Sequence, residues 1–414
     1  MYRVQYTGQP VHCEIELPLS KSLSNRLLII NYLQNGAVSN NLSDAADTVL
    51  MQYLLNTLKQ NEDINVPVSI HTGNAGTVTR FLLPLLAITK GTWIVTGDRR
   101  MLERPIQPLV KALQQLGADI TYLQKENFLP LSIKGGNWDV KTHAISMHAG
   151  ISSQFVSGLM MIAPLIGGLH VDLQGNIVSK SYISMTAALM RQAGADVIFE
   201  ENYIKVNNKP YAQTLPSYNI ESDWSAASFF YQIAAFTKDA EIVLHNLHLH
   251  SAQGDACLPV LFENLGVKTT FFDRGICLTS SQNKVQNFIY DFTDCPDLVQ
   301  PVAVTCALLN INAELKGIET LFHKETNRIE ALKNELGKLR VNITYNNHSL
   351  FIKHTPNMVF ENDVVIKTYA DHRMAMAFAP VAAIKGSVLL DNLNVVDKSF
   401  PKFWQEMNKA HFTI

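Results

Sequence analysis

Cations and hydroxyls gather at the starts of apolar segments in this chain. The stretch "LPLSKSLSNRLLIINYL", residues 17–33, places Ser20, Lys21, Ser22 and Arg26 ahead of a run of Leu and Ile. A cation in the first turn of a helix opposes the helix dipole by a few tenths of a kcal/mol up to about 1 kcal/mol. A bound anion would reverse that sign and use the unpaired N–H groups there. Similar residues recur as Asn74 and Arg80 in "GNAGTVTR", Ser152, Ser153 and Gln154 in "SSQFVSG", Asp297 in "CPDLVQP" and Arg373 in "ADHRMAM". Arg104 in "RMLERPI", Lys324, Glu325 and Arg328 in "HKETNRI" and Lys398 in "VDKSFPKFW" extend the set. Many cations with few carboxylates describe a site for a highly anionic substrate, and Arg suits bidentate recognition of phosphate or carboxylate. Asp297 and Glu325 are the exceptions. A carboxylate inside an anion site weakens binding unless it acts, and proton transfer is the usual act.

Each residue also has an ordinary structural reading: Ser20, Ser152 and Asp371 as N-caps, Asp297 as a first-turn acid, Lys324 and Glu325 as a solvated face.

The elements that would position these residues follow two patterns. Six nearly all-apolar segments, beginning at "SKSLSNR", "GNAGTVTR", "SSQFVSG", "SDWSAAS", "CPDLVQP" and "ADHRMAM", read as buried helices with polar N-terminal turns. Four others, such as "LVKALQQLGADITYLQKENFLPLSIKGG" and "IEALKNELGKLRVNITYNNHSLFIKH", switch from helical to alternating periodicity and read as a helix followed by a β-hairpin. Together they predict an α/β fold of six βαβαββ-like units, three in each of two domains. The boundary is expected near Pro216 in "YAQTLPSYNIESD", and the N-terminal strand, lacking a helix of its own, is expected to pair with the far domain.

Composition narrows the function class. A 414-residue chain that is 47% hydrophobic can bury two or three substantial cores. A net charge of −2 argues against a nucleic-acid or membrane-surface footprint, so any anion site must come from placed cations. Five scattered cysteines without a CxxC pair disfavour a disulfide framework or zinc site and fit a reducing cytoplasm. No apolar run approaches the roughly 20 residues of a membrane span, and the first residues lack secretory or transit character. His245, His248 and His250 in "LHNLHLH" show no carboxylate or Cys partner in the sequence, and "GNAGTVTR" lacks the GK[ST] of a P-loop.

With "PLSKSLSNR", "GNAGTVTR", "GDRRMLERPI", "SSQFVSGLMMIAPL", "IVSKSYI", "SDWSAAS", "SAQGD", "KETNRI", "DHRMAMAFA" and "KSFPKF" in that order over nearly its whole length, the chain resembles the 5-enolpyruvylshikimate-3-phosphate synthase family. The resemblance implies two inside-out α/β barrel-like domains, 18–221 and 1–17 plus 222–414, with the active site in the cleft between them. It implies transfer of the enolpyruvyl group of phosphoenolpyruvate to the 5-hydroxyl of shikimate 3-phosphate by addition and elimination. Residues matching Lys21, Ser22, Arg26, Ser152, Ser153, Gln154, Ser179, Tyr182, Asp297 and Lys324 would hold shikimate 3-phosphate. Those matching Lys21, Gly76, Arg104, Gln154, Arg328, Arg373 and Lys398 would hold phosphoenolpyruvate. Asp297 matches the residue assigned as base, Glu325 the acid, and Lys21 a group stabilising the leaving phosphate. No metal, cofactor, nucleic acid or membrane is implied, and a cytoplasmic monomer is expected. Asn327, Ser222, Phe81 and Thr320 depart from the usual pattern and bear on fine contacts. The alternatives are the sister transferase acting on UDP-N-acetylglucosamine, disfavoured because Ser22 and not Asn follows Lys21, and an inactive anion-binding paralogue.

Overall fold

A computed structural model describes residues 1–34, 41–61, 66–136, 138–148, 150, 152–212, 218–355 and 364–414. Pro216, at the expected boundary, lies outside the described residues. The chain forms two compact units: Lys21–Ser43 with Asp47–Ile220, and Met1–Ser20 with Asp44–Ala46 and Glu221–Ile414.

In the first unit, Val68–His71 runs parallel to Gly91–Thr96, which pairs antiparallel with Leu131–Gly135, and that strand forms a hairpin with Asp119–Tyr122. The parallel pair needs a crossover, and the helix Gly76–Ile88 supplies it. The helix Gln107–Leu116, closed by left-handed Gly117, then leads into the hairpin. The same order recurs in Ala144–His148, Leu169–Gln174, Tyr203–Val206 and Val197–Phe199, with Ser153–Ile162 as crossover and Lys180–Gln192 before the hairpin.

The second unit repeats it with Asn287–Asp291, Asn312–Lys316, Ser349–Lys353 and Asn342–Tyr345. Its other two sheets borrow strands from the start of the chain. His12–Ile15 lies parallel to Glu241–His245, and Tyr2–Tyr6 lies between Ser387–Leu390 and Phe412–Thr413. Among the described residues there are thus five four-stranded sheets of one order. Among the described residues no such sheet forms around the remaining helices Lys21–Leu33 and Ala46–Asn61, and the segments 35–40 and 62–65 that follow them lie outside the described residues.

All six apolar segments are helices. Val299–Leu308 and His372–Phe378 are buried along their whole length, and in Ser153–Ile162 only Gln154 is not buried. A helix apolar on every side can only be core, so its sequence exposes polar groups at its N-terminal end alone. Caps differ between them. The Ser152 hydroxyl accepts from Gln154 N at 3.3 Å, Asp223 from Ala226 N at 3.1 Å, and Asp371 from Arg373 N at 2.9 Å. Ser20, expected to cap the first helix, is instead buried with its hydroxyl unbonded, and its N–H donates to the Glu221 carbonyl at 2.9 Å.

Candidate active site

The unit built on Lys21–Ile220 gathers one set of polar side chains at its helix starts. Lys21 Nζ reaches Asp47 Oδ2 at 3.2 Å, at the start of the helix Ala46–Asn61. Arg26, one turn further along, is almost wholly buried. Its Nε donates to the Thr186 hydroxyl at 2.7 Å, Nη1 to the Ser22 carbonyl at 2.8 Å and Nη2 to the Tyr182 carbonyl at 3.3 Å. The guanidinium also lies over the rings of Phe81 and Tyr182, at 5.2 and 5.8 Å. Its partners are neutral, and burial pulls its pKa down to about 10. A charge kept at that cost is suited to a neighbouring anion. Ser179 immediately precedes the helix Lys180–Gln192, and Tyr182 stands on its first turn. Ser179 adopts a left-handed φ of 57°, an unusual conformation for a non-glycine residue and one often found at functional sites.

Gly76 begins its helix directly beside Arg104. A Cβ there would lie 2.8 Å from both terminal nitrogens of the buried Arg104 guanidinium, so only glycine lets the cation rest on the helix start. On the adjoining helix, the Gln154 amide is held at both ends: Arg80 Nη1 donates to its Oε1 at 2.5 Å and its Nε2 donates to Thr77 at 2.9 Å. Ser152 is taken up as the cap of that helix, and Ser153 is buried in its first turn.

The unit containing Glu221–Ile414 holds the two acids. Asp297 lies in the short 3-10 turn Pro296–Leu298 that opens the helix Val299–Leu308. Its Oδ1 accepts from Arg328 Nη1 at 2.9 Å and lies 3.7 Å from Lys324 Nζ, while Oδ2 accepts from Arg373 Nη2 at 3.0 Å. Glu325 bridges Arg328 and a fourth cation, with Oε2 3.1 Å from Arg328 Nη2 and Oε1 3.4 Å from Lys398 Nζ. Burial by itself would raise the Asp297 carboxyl. Arg373, Lys324 and Arg328 together outweigh it and hold the group well below the usual carboxylate range. Lys324 is lowered, first by burial and then by the neighbouring arginines, against the pull of Asp297 and Glu325. Arg328 moves the other way: burial is overcome by Asp371, Glu325 and Asp297.

Chemically, this arrangement presents an ionised carboxylate and a second carboxylate on one guanidinium, with four cations around them. It can accept a proton, deliver one, and neutralise developing anionic charge. The structure groups Asp297, Lys324, Glu325, Arg328, Arg373 and Lys398 in one unit and Lys21, Ser22, Arg26, Gly76, Arg104, Ser152, Ser153, Gln154, Ser179 and Tyr182 in the other. Arg80 belongs to the cationic set read from the sequence, but Asp47 and Thr77, which with it orient Lys21 and Gln154, were not singled out. Thr77 lies in a helix start already quoted, whereas Asp47 opens the helix Ala46–Asn61, which the sequence reading did not mark.

Among the described residues no group of three or more His, Cys, Asp or Glu could hold an ion. His245, expected to lack a carboxylate partner, does have one: its Nε2 lies 3.0 Å from Glu14 Oε2, because the parallel strand from the start of the chain lies alongside. No helix among the described residues is long and apolar enough to cross a membrane.

Comparison with known proteins gives this geometry a family. A family model described as EPSP synthase (3-phosphoshikimate 1-carboxyvinyltransferase) matches residues 5–407. The chain is 43% identical over 407 residues to a 3-phosphoshikimate 1-carboxyvinyltransferase of Bacteroides fragilis, covering 98% of this chain and 96% of the relative. It is 32% identical over 430 residues to the protein of that name from Vibrio campbellii, covering 97% and 98%. A solved EPSP synthase from Acinetobacter baumannii superposes with a TM-score of 0.73 at 20% identity, covering 99% of this chain and 98% of that one, and so shares its mixed α/β fold. On the match to the family model and to these relatives, the chain belongs to the EPSP synthase family.

Proposed function

We propose that this protein transfers the enolpyruvyl group of phosphoenolpyruvate to the 5-hydroxyl of shikimate 3-phosphate, releasing phosphate, on the route to chorismate and the aromatic amino acids. The observation that carries the reading is the pair Asp297 and Glu325, held on opposite ends of one Arg328 edge inside a cluster of cations.

In this reading Asp297 accepts the proton of the attacking hydroxyl, whose oxygen bonds to C2 of the donor. Glu325 delivers a proton to the methylene carbon C3, completing a tetrahedral adduct. The methyl group then returns a proton as the C2–O bond to phosphate breaks, and the alkene is regenerated. Atoms balance without an oxidant or cofactor. Arg104, Arg328, Arg373, Lys398 and Lys21 would hold the donor and its departing phosphate, with Gly76 and Gln154 beside them. Ser22, Arg26, Ser152, Ser153, Gln154, Ser179, Tyr182, Lys324, Lys21 and Asp297 would line the acceptor. Both sets must then serve one pair of substrates. The same reading takes the five sheets of one order, together with the helices Lys21–Leu33 and Ala46–Asn61, as six repeat units in two inside-out domains, 18–221 and 1–17 with 222–414, working as a cytoplasmic monomer on two small molecules.

Phosphate release from phosphoenolpyruvate tests it. Turnover is expected with shikimate 3-phosphate and not with UDP-N-acetylglucosamine, an acceptor that the family match does not favour. No turnover with either acceptor would sink the reading in favour of an inert anion-binding protein.

A further inference from the structure

Arg328 and Arg373 share a residue that neither the acid–base pair nor the substrate contacts use. Asp371 is completely buried. Its Oδ2 accepts from Arg328 Nε at 2.7 Å and its Oδ1 lies 3.4 Å from Arg328 Nη2, a side-on pair along one edge of the guanidinium. The adjoining Nη1/Nη2 edge, which shares Nη2 with it, faces Asp297 and Glu325. Oδ1 also accepts from the backbone N–H of Arg373 at 2.9 Å, which fixes the start of the helix His372–Phe378. Such side-on pairing sets the plane of an arginine as well as its charge.

The approach to Asp371 is itself unusual. Tyr369 and Ala370 are consecutive non-glycine residues at left-handed φ values of 54° and 53°. Left-handed backbone is costly for such residues. The turn is held from outside: Thr368 N and Oγ1 bond to Asp391 at 2.9 and 2.8 Å, and the Tyr369 hydroxyl donates to Glu335 at 2.7 Å.

We propose that Asp371 is a positioning residue for the donor site, a buried carboxylate that orients the Arg328 guanidinium and anchors the backbone of Arg373. Its side chain bonds Arg328 and the Arg373 N–H and lies 3.7 Å from His372 Nδ1, so its effect on the donor site runs through the arginines. The proposal rests on reading those arginines as phosphoenolpyruvate ligands.

The test uses the full chain and measures KM for each substrate by phosphate release, for Asp371→Asn, Asp371→Glu, Arg328→Lys and the double variant Asp371→Asn with Arg328→Lys. Asp371→Asn is expected to raise the KM for phosphoenolpyruvate about tenfold or more and that for shikimate 3-phosphate less than about twofold. Asp371→Glu, which keeps the charge but not the reach, should fall between wild type and Asp371→Asn. In the Arg328→Lys background, Asp371→Asn should add less than about twofold, because a lysine cannot form the side-on pair. A donor KM within about twofold of wild type in Asp371→Asn, a parallel rise in both KM values, or full multiplication of the two losses would each overturn the proposal. Should Asp371→Asn not fold, Asp371→Glu decides on the same split. Failure of both to fold would assign Asp371 to stability and overturn the positioning role. Arg328→Lys alone addresses the underlying reading: an unchanged donor KM in that variant removes Arg328 from the donor site, whatever Asp371 does.

Discussion

Three cations divide the two oxygens of Asp297 between them, and their fields dominate how that residue behaves. Because Arg373, Lys324 and Arg328 hold its carboxyl well below the usual range, it stays ionised through mildly acid pH. The acid limb of the pH–rate profile should therefore not report Asp297 until well below pH 4, as a pH series of kcat/KM would reveal. Asp297→Asn should cut kcat by about 10²–10⁴ with a smaller change in either KM, and Glu325→Gln likewise, in steady-state assays of phosphate release. Gly76→Ala acts differently. Its new Cβ would meet the buried Arg104 guanidinium at 2.8 Å, so the cation must move. The expected outcome is a rise of about tenfold in KM for phosphoenolpyruvate with a milder effect on kcat. The cations and hydroxyls of the candidate site, Arg80 among them, stood out in sequence because they open apolar helices, whereas Gly76 was named only through the family resemblance. Asp47 and Thr77 were not singled out, and the bond from Arg80 to Gln154 was not foreseen, since nothing local says that these partners will meet across 26, 77 and 74 residues.

Helices carry most of what the site needs, and their termini are the adjustable part. The helix Arg328–Lys338 brings Arg328 to the acids, and Asn327 caps it by accepting from Glu330 N at 3.1 Å. Asn and Asp are nearly equivalent caps, so Asn at this position keeps the helix start capped. Asn327→Ala should cost about 1 kcal/mol, whereas Asn327→Asp should be close to neutral, as read from urea unfolding midpoints at unchanged slope. Close packing depends on a second glycine. A Cβ at Gly158 would come within 2.8 Å of the Arg80 carbonyl, so the helices Ser153–Ile162 and Gly76–Ile88 can approach only without it. That approach lets Arg80 and Thr77 grip Gln154. The four helix-then-hairpin stretches were legible from the change of period, with positive-φ Gly117 and Gly194 near two of the switches.

Across the whole molecule, two features reach beyond local pattern. The first 17 residues supply strands to two sheets whose other strands lie hundreds of positions later. Deleting residues 1–16 would bare both sheets, and the truncated chain should melt well below the full one in a thermal scan. Asp255 sets a pH dependence. Burial, then the nearby Asp297 charge, push its carboxyl up to about 7, against the pull of Arg373 and the Ser225 hydroxyl. The folded state therefore binds a proton that the unfolded chain releases near 3.8, so this contribution is present at low pH and lost as pH rises towards about 7. Asp255→Asn should gain stability relative to wild type between about pH 5 and pH 8, measured by urea unfolding at both; an unchanged difference would refute it. By itself the sequence determined the secondary-structure types, the burial of six helices and the anionic character of the substrates, because periodicity and charge placement are local properties of the chain. Tertiary structure alone decided which particular strands the first two strands join and in what register, and it paired Asp371 with Arg328 and Glu14 with His245. Those pairings depend on residues brought together by packing over long chain separations, which no local pattern encodes.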